Sequence, residues 1–178
     1  GALTDVDTSI ITVTPVNDAP ILDLDASGAG TGFTTSYTEN GTGIAIVDTD
    51  VLIVDVDNTN MASATIVITN AVAGDTLSVA GTLPSGITFS YNAATFTLTL
   101  TGSATKADYQ TVLQQIRYSS TSDDPGSTAR IINISVNDGA ISSNIAVATV
   151  SVIPVNDPPV NTLPASYTTA EDVNLTLN

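Results

Sequence analysis

The sequence predicts an all-β sandwich with one short helix, on three observations. First, short runs in which apolar residues alternate with Thr and Ser are separated by Asn, Asp, Gly and Pro. Second, the chain is 42% hydrophobic yet only 4% aromatic, with no Trp, so its apolar content is largely β-branched and small. Third, Pro15-Val16-Asn17-Asp18-Ala19-Pro20 is written again as Pro154-Val155-Asn156-Asp157-Pro158-Pro159, each copy following a β-branched run at 11–14 and 150–153. Proline removes a ladder donor and biases the preceding residue to extended backbone, so each copy reads as a stiff junction. The spacing is that of one domain with its linker. Residues 17–157 are therefore expected to be a complete repeat, 1–16 the closing strand of a preceding one, and 158–178 the start of the next.

Within the repeat, 28–32 reads as a flexible glycine-rich insertion and 34–38 as the first strand. A second strand over 43–54 is interrupted at Asp48-Thr49-Asp50, because Asp is a poor strand residue and favours a bulge or break. Ala64, Ile66 and Ile68 alternate with Thr65, Val67 and Thr69 to give a third strand, and 77–79 a short fourth. Leu83-Pro84-Ser85-Gly86 is a turn, followed by a hairpin of 87–91 and 95–100 around Asn92-Ala93-Ala94. Tyr109, Val112, Leu113 and Ile116 recur at helical spacing, with Thr105 and Asp108 placed as a cap, so a helix is expected over 104–116. Strands over 130–136 and 145–153 close the repeat, with a turn at Asn137-Asp138-Gly139.

Charge narrows the function. Eighteen acidic residues stand against Lys106, Arg117 and Arg130, for a formal net charge of −15. Nucleic acid and anionic lipid are recognised through Lys and Arg, so neither is an expected partner, and no apolar run is long enough to insert in a membrane. With no Cys and no His, disulfides, thiolate metal sites, nucleophilic triads and most acid–base pairs are unavailable. Eight aromatic side chains, several needed by the core, make a poor sugar platform. The expectation is a non-enzymatic protein.

The acids sort by chain direction. If the first strand runs away from the first junction, the turn with Glu39 lies beside the second junction, which we call the trailing pole. The next strand returns to the leading pole, placing Asp55-Val56-Asp57-Asn58 beside the first junction. Counting back from the last strand puts Asp138 at the leading pole and Asp123-Asp124 at the trailing one. Two clusters result: Asn17, Asp18, Asp55, Asp57 and Asp138, and Glu39, Asp123, Asp124, Asn156 and Asp157. Gathered carboxylates repel unless a cation sits among them, and an all-oxygen set suits Ca²⁺, which takes six to eight such ligands. Asp48 and Asp50 are assigned to neither cluster, and Asp5, Asp7, Asp23, Asp25 and Asp75 read as ordinary solvated loop acids.

With these residues in view, positions 15–157 resemble the cadherin-like tandem repeats (of the dystroglycan-type cadherin-like kind) found in very large bacterial surface proteins and adhesins. The resemblance rests on Val16-Asn17-Asp18-Ala19-Pro20, Tyr37-Thr38-Glu39-Asn40, Val54-Asp55-Val56-Asp57, Asn58 to Ile66, Leu83-Pro84-Ser85-Gly86, Tyr109-Gln110 to Tyr118 and Val136-Asn137-Asp138-Gly139. It implies an immunoglobulin-like Greek-key sandwich and calcium held between modules. Asn17 and Asp18, Asp55 and Asp57, and Asp138 match ligand groups of that family; Glu39 resembles its first-strand Glu and Asn156-Asp157 its next linker. The family's Asp-Arg-Glu is replaced here by Ser122-Asp123-Asp124-Pro125. The expected role is an extracellular, cell-surface structural repeat rigidified by Ca²⁺, with neighbouring repeats as partners. The alternative is a filament, sheath or surface-layer subunit that joins other copies of itself by β-strand addition.

Overall fold

Alternating side chains along the longest strands decide the architecture. In Arg130–Asn137 (β10) every second residue from Arg130 to Val136 is buried, and in Ala146–Ile153 (β11) so are Ala146, Ala148, Val150 and Val152. The computed structural model describes residues 1, 3, 4, 7–161, 171 and 172. Most of the expected start of a next repeat at 158–178 therefore lies outside the described residues. Residues 7–14 are exposed and form no strand.

The chain is an all-β sandwich. The larger sheet has six strands in the order Phe33–Thr38 (β2), β11, β10, Asn60–Ile68 (β5), Thr97–Thr105 (β8) and Thr88–Asn92 (β7). Facing it is a three-stranded sheet of Ile44–Ala45 (β3), Ile116–Ser120 (β9) and Asp75–Val79 (β6). Ile21–Asp23 (β1) and Leu52–Val54 (β4) form a separate pair. Ile66, Leu98, Leu100, Ile132 and Ile134 pack with Leu77, Ile116 and Tyr118 in one continuous core.

The expected break at 48–50 is present, and it does more than kink a strand. Before it, β3 pairs with β9; after it, β4 pairs with β1. Two further strands depart from the sequence expectation. Strand β1, three residues long, is too short for alternation to register. Strand β9 follows Lys106–Gln115 (α1) without a loop, because Ile116 leaves the helix with extended angles (φ −73°, ψ 134°). Ile116 is apolar at the helical repeat and buried as a strand residue, so periodicity alone extends the helix one residue too far. The cap is as expected, Thr105 and Asp108 forming a reciprocal capping box, but the helix begins at Lys106 and not at 104, because Ala104 and Thr105 end β8. Tyr109, Val112 and Leu113 turn inward, and burial pushes the Tyr109 phenol up to about 12. The expected 28–32 insertion is a closed loop, with the Leu24 N–H on the Thr31 carbonyl (3.1 Å) and the Gly28 N–H on that of Asp25 (2.9 Å).

Two registers fix the poles. Antiparallel pairing of Ile21 with Val54 carries residues 17–18 and 55–58 to the same end. Parallel pairing of β2 with β11, Thr38 opposite Ile153, makes both strands finish together, so Glu39 meets the chain leaving β11. Leu22 exchanges hydrogen bonds with Asn144, just before β11, while Glu39 lies just past its end. At ~3.3 Å per residue an eight-residue strand holds these places more than 20 Å apart.

Candidate metal sites at the two poles

At the leading pole, Asn17, Asp18, Asp55, Asp57 and Asp138 lie together with Asn58, linked by hydrogen bonds, although no three of their carboxylates bring oxygens within 4.8 Å of one another. Asp55 sits at the end of β4 and its Oδ1 accepts the N–H groups of Asp57 (2.9 Å) and Asn58 (2.7 Å), closing a tight turn. The Asp18 N–H donates to Asp57 Oδ2 at 2.6 Å. Asn17 Nδ2 donates to Asp138 Oδ2 at 2.8 Å, while Asn58 Nδ2 donates to Asn17 Oδ1 at 2.6 Å and to Asp138 Oδ2 at 3.2 Å. Three segments remote in sequence are thus tied by two amide side chains. Asn58 went unassigned in the sequence because it follows the Asp-x-Asp and reads as one more turn residue.

One atom in this cluster lacks a partner. Asp55 is 9% exposed, and its Oδ2 is buried with no hydrogen bond. A buried carboxylate oxygen that is neither bonded nor paired is costly, and a cation relieves that cost. The side chains of this pole offer carboxylate and amide oxygens, a ligand type that suits a hard cation such as Ca²⁺.

Asp138 is further bound at Oδ1 by the N–H groups of Ala140 (2.6 Å) and Ile141 (2.7 Å). Its carboxyl is held below the ordinary value of 3.8, first by the Asn17 amide and then by the Ile141 and Ala140 N–H groups. A depressed folded value means that the stabilisation is present above the unfolded pKa and lost as pH falls through the folded one. The Asp138 carboxyl carbon, followed by NMR, is therefore expected to titrate with a midpoint below 3.8, with the Asn17 side-chain amide shifting in step. A midpoint at or above that value would contradict the arrangement.

The trailing pole is assembled only in part. Glu39 is 4% exposed; its N–H donates to the Ile153 carbonyl (2.9 Å) and its Oε2 accepts from the Val155 N–H (2.7 Å). Its Oε1 is buried and unpartnered, the counterpart of Asp55 Oδ2. The other expected members do not gather on it. Asp123, Asp124, Asn156 and Asp157 are exposed; the Asp124 N–H bonds Ser122 Oγ, and the Asn156 amide bonds the Asp157 carbonyl. Carboxylates cannot hydrogen-bond one another when ionised. The leading pole has two amides that bridge them, whereas the Asn156 amide at the trailing pole is turned to the Asp157 carbonyl.

Two acids read as solvated loop residues behave otherwise. Asp75 is buried, and its Oδ2 pairs with Arg130 Nε at 2.6 Å, both side chains being nearly inaccessible. Asp75 Oδ1 accepts the Tyr118 hydroxyl at 2.7 Å. Burial, then the bond to and charge of Asp75, raise the Tyr118 phenol. Asp25 lies with Asp48 and Asp50, and among the described residues these are the only three carboxylates whose oxygens fall within 4.8 Å of one another. The interruption at 48–50 and the neighbouring 28–32 insertion were the available signals for this grouping. No protein-family model matches the chain, and no curated protein or solved structure shows detectable similarity to it.

Proposed function

We propose that this chain is a non-catalytic structural repeat of a large extracellular, cell-surface protein of the adhesin kind, stiffened at its junctions by Ca²⁺. The observation that carries the reading is the buried, unpartnered Oδ2 of Asp55 inside a cluster drawn from the junction (Asn17, Asp18), the turn after β4 and the turn after β10. At that pole Asp18, Asp55, Asp57 and Asp138 would supply carboxylate oxygen, and Asn17 the amide oxygen that here accepts from Asn58. At the other pole Glu39 would anchor the equivalent site, with the remaining ligands drawn in by the ion from Asn156, Asp157, Asp123 and Asp124. Bridging a linker to the body of a module fixes the angle between them, and a series of such junctions becomes a rod. Extracellular sites of this type work at Kd on the order of 10⁻⁴–10⁻³ M.

The test is calcium titration by calorimetry, combined with small-angle scattering of the chain in EDTA and in millimolar Ca²⁺. Saturable heat and a shift toward a stiffer, more extended particle are expected. Flat heats with superimposable scattering curves would remove the proposal.

A second reading, association of copies by strand addition, draws on one observation. Ile10, Ile11 and Val13 are each more than 80% exposed along the unpaired segment 7–14. Sedimentation that stays monomeric across protein and calcium concentration would remove it.

A further inference from the structure

Three basic side chains serve the eighteen acids of this chain, and where they sit is informative. Arg130 is inside the core on Asp75. Arg117 bonds the carbonyls of Gln114 and Ile116 at the end of α1. Lys106, the only lysine, reaches across from the start of α1 to place Nζ 2.8 Å from the Asp55 carbonyl oxygen. Its backbone N–H bonds the Thr59 carbonyl at 3.2 Å, so one residue is tied to both sides of the 55–59 turn.

Helix formation does not explain this choice. Lys106 is the first residue of α1, where the helix dipole disfavours positive charge. The cap is already supplied by Thr105 and Asp108. Nor does an ion pair explain it, since among the described residues the only salt bridge within 4.0 Å is that of Arg130 with Asp75. What the ammonium does contact is the backbone of the residue whose carboxylate oxygen is sealed without a partner.

We infer that Lys106 is a resident cation of the leading pole. Its ammonium pins the 55–58 turn and offsets the field of Asp18, Asp55, Asp57 and Asp138 when no divalent ion is bound. The same charge opposes an incoming divalent ion and so keeps the site's affinity low. Lys106 is a positioning and affinity-setting residue and not a ligand, and its assignment rests on the calcium reading of this cluster.

The experiment compares the wild-type chain with Lys106→Gln and Lys106→Arg by calorimetric Ca²⁺ titration at low and at high salt, and by thermal unfolding in EDTA. Lys106→Gln is expected to bind Ca²⁺ about three- to tenfold more tightly at low ionic strength, with the gap narrowing in roughly 0.5 M NaCl as charge is screened. In EDTA it is expected to melt roughly 2–4 °C lower. Lys106→Arg keeps the charge and should track the wild type in both. A purely structural lysine would lower the melting point without tightening calcium, so Lys106→Gln binding equally or more weakly than a calcium-binding wild type overturns the assignment alone. A wild type that takes up no Ca²⁺ overturns the cluster reading and this inference with it.

Discussion

Arg130→Ala is expected to destabilise the sandwich by about 3–5 kcal/mol, the range for removing one partner of a buried ion pair. The large value follows from what is left behind. Asp75, 4% exposed, would keep a charge whose Oδ2 retains only the Val72 N–H at 2.9 Å, in a core that offers no water in exchange. The guanidinium also holds the backbone between β9 and β10, donating to the carbonyls of Pro125 (2.6 Å) and Thr128. Its loss should therefore free the loop that carries Asp123 and Asp124, a local effect visible as faster amide exchange over 121–129. Urea unfolding measures the global term. The double variant Asp75→Asn/Arg130→Met separates the causes, since replacing both charges removes the orphaned carboxylate and should recover a large part of the loss. If Arg130→Ala cost less than about 1 kcal/mol, the pair would be a surface-like contact and the packing described for this end of the core would be wrong.

How much of this was legible in the sequence depended on the length and two-sidedness of each element. β5, β8, β10 and β11 were readable because one face is buried and apolar while the other carries Thr, Ser and Asn among a few Val and Ile, a period-two pattern that persists over several residues. β1 was not, although its register against β4 is what brings the junction to the Asp55 turn; three residues cannot display a period. The leading cluster was nonetheless inferred from chain direction alone, because strand count determines the end at which each loop falls. The trailing cluster shows the limit of that reasoning. Chain direction names a pole, but only donor groups gather acids there, and residues 122–125 bring none to Glu39. Asp75 was misread for a related reason: its partner is 55 residues away, and a lone Asp before a short strand carries no mark of a buried guanidinium.

Asp55→Asn is expected to reverse the order of stabilities with the ion. The substitution keeps Oδ1 as acceptor for the Asp57 and Asn58 N–H groups, and replaces the sealed, unpartnered oxygen by a neutral amide. Burying an amide without a partner costs less than burying a carboxylate oxygen without one. In EDTA the variant should accordingly equal or exceed the wild type. Calcium should then separate them in the opposite sense. For a site filled at about 100 times its Kd, binding to the folded state alone adds about 2.7 kcal/mol, which for a chain of this size is a rise of roughly 5–10 °C in melting temperature. The wild type should show that rise and Asp55→Asn should lose most of it, because an amide at this position removes both a charge and the deepest oxygen of the set. Asp123→Asn, at the opposite pole and exposed, is the control; it should leave the leading-pole response in place and alter stability in EDTA by less than about 0.5 kcal/mol. Equal calcium-induced shifts in the wild type and Asp55→Asn would mean that the orphaned oxygen is not where the ion binds. The grouping of Asp25, Asp48 and Asp50 would then be the next place to substitute, since its carboxylates already converge without amides between them.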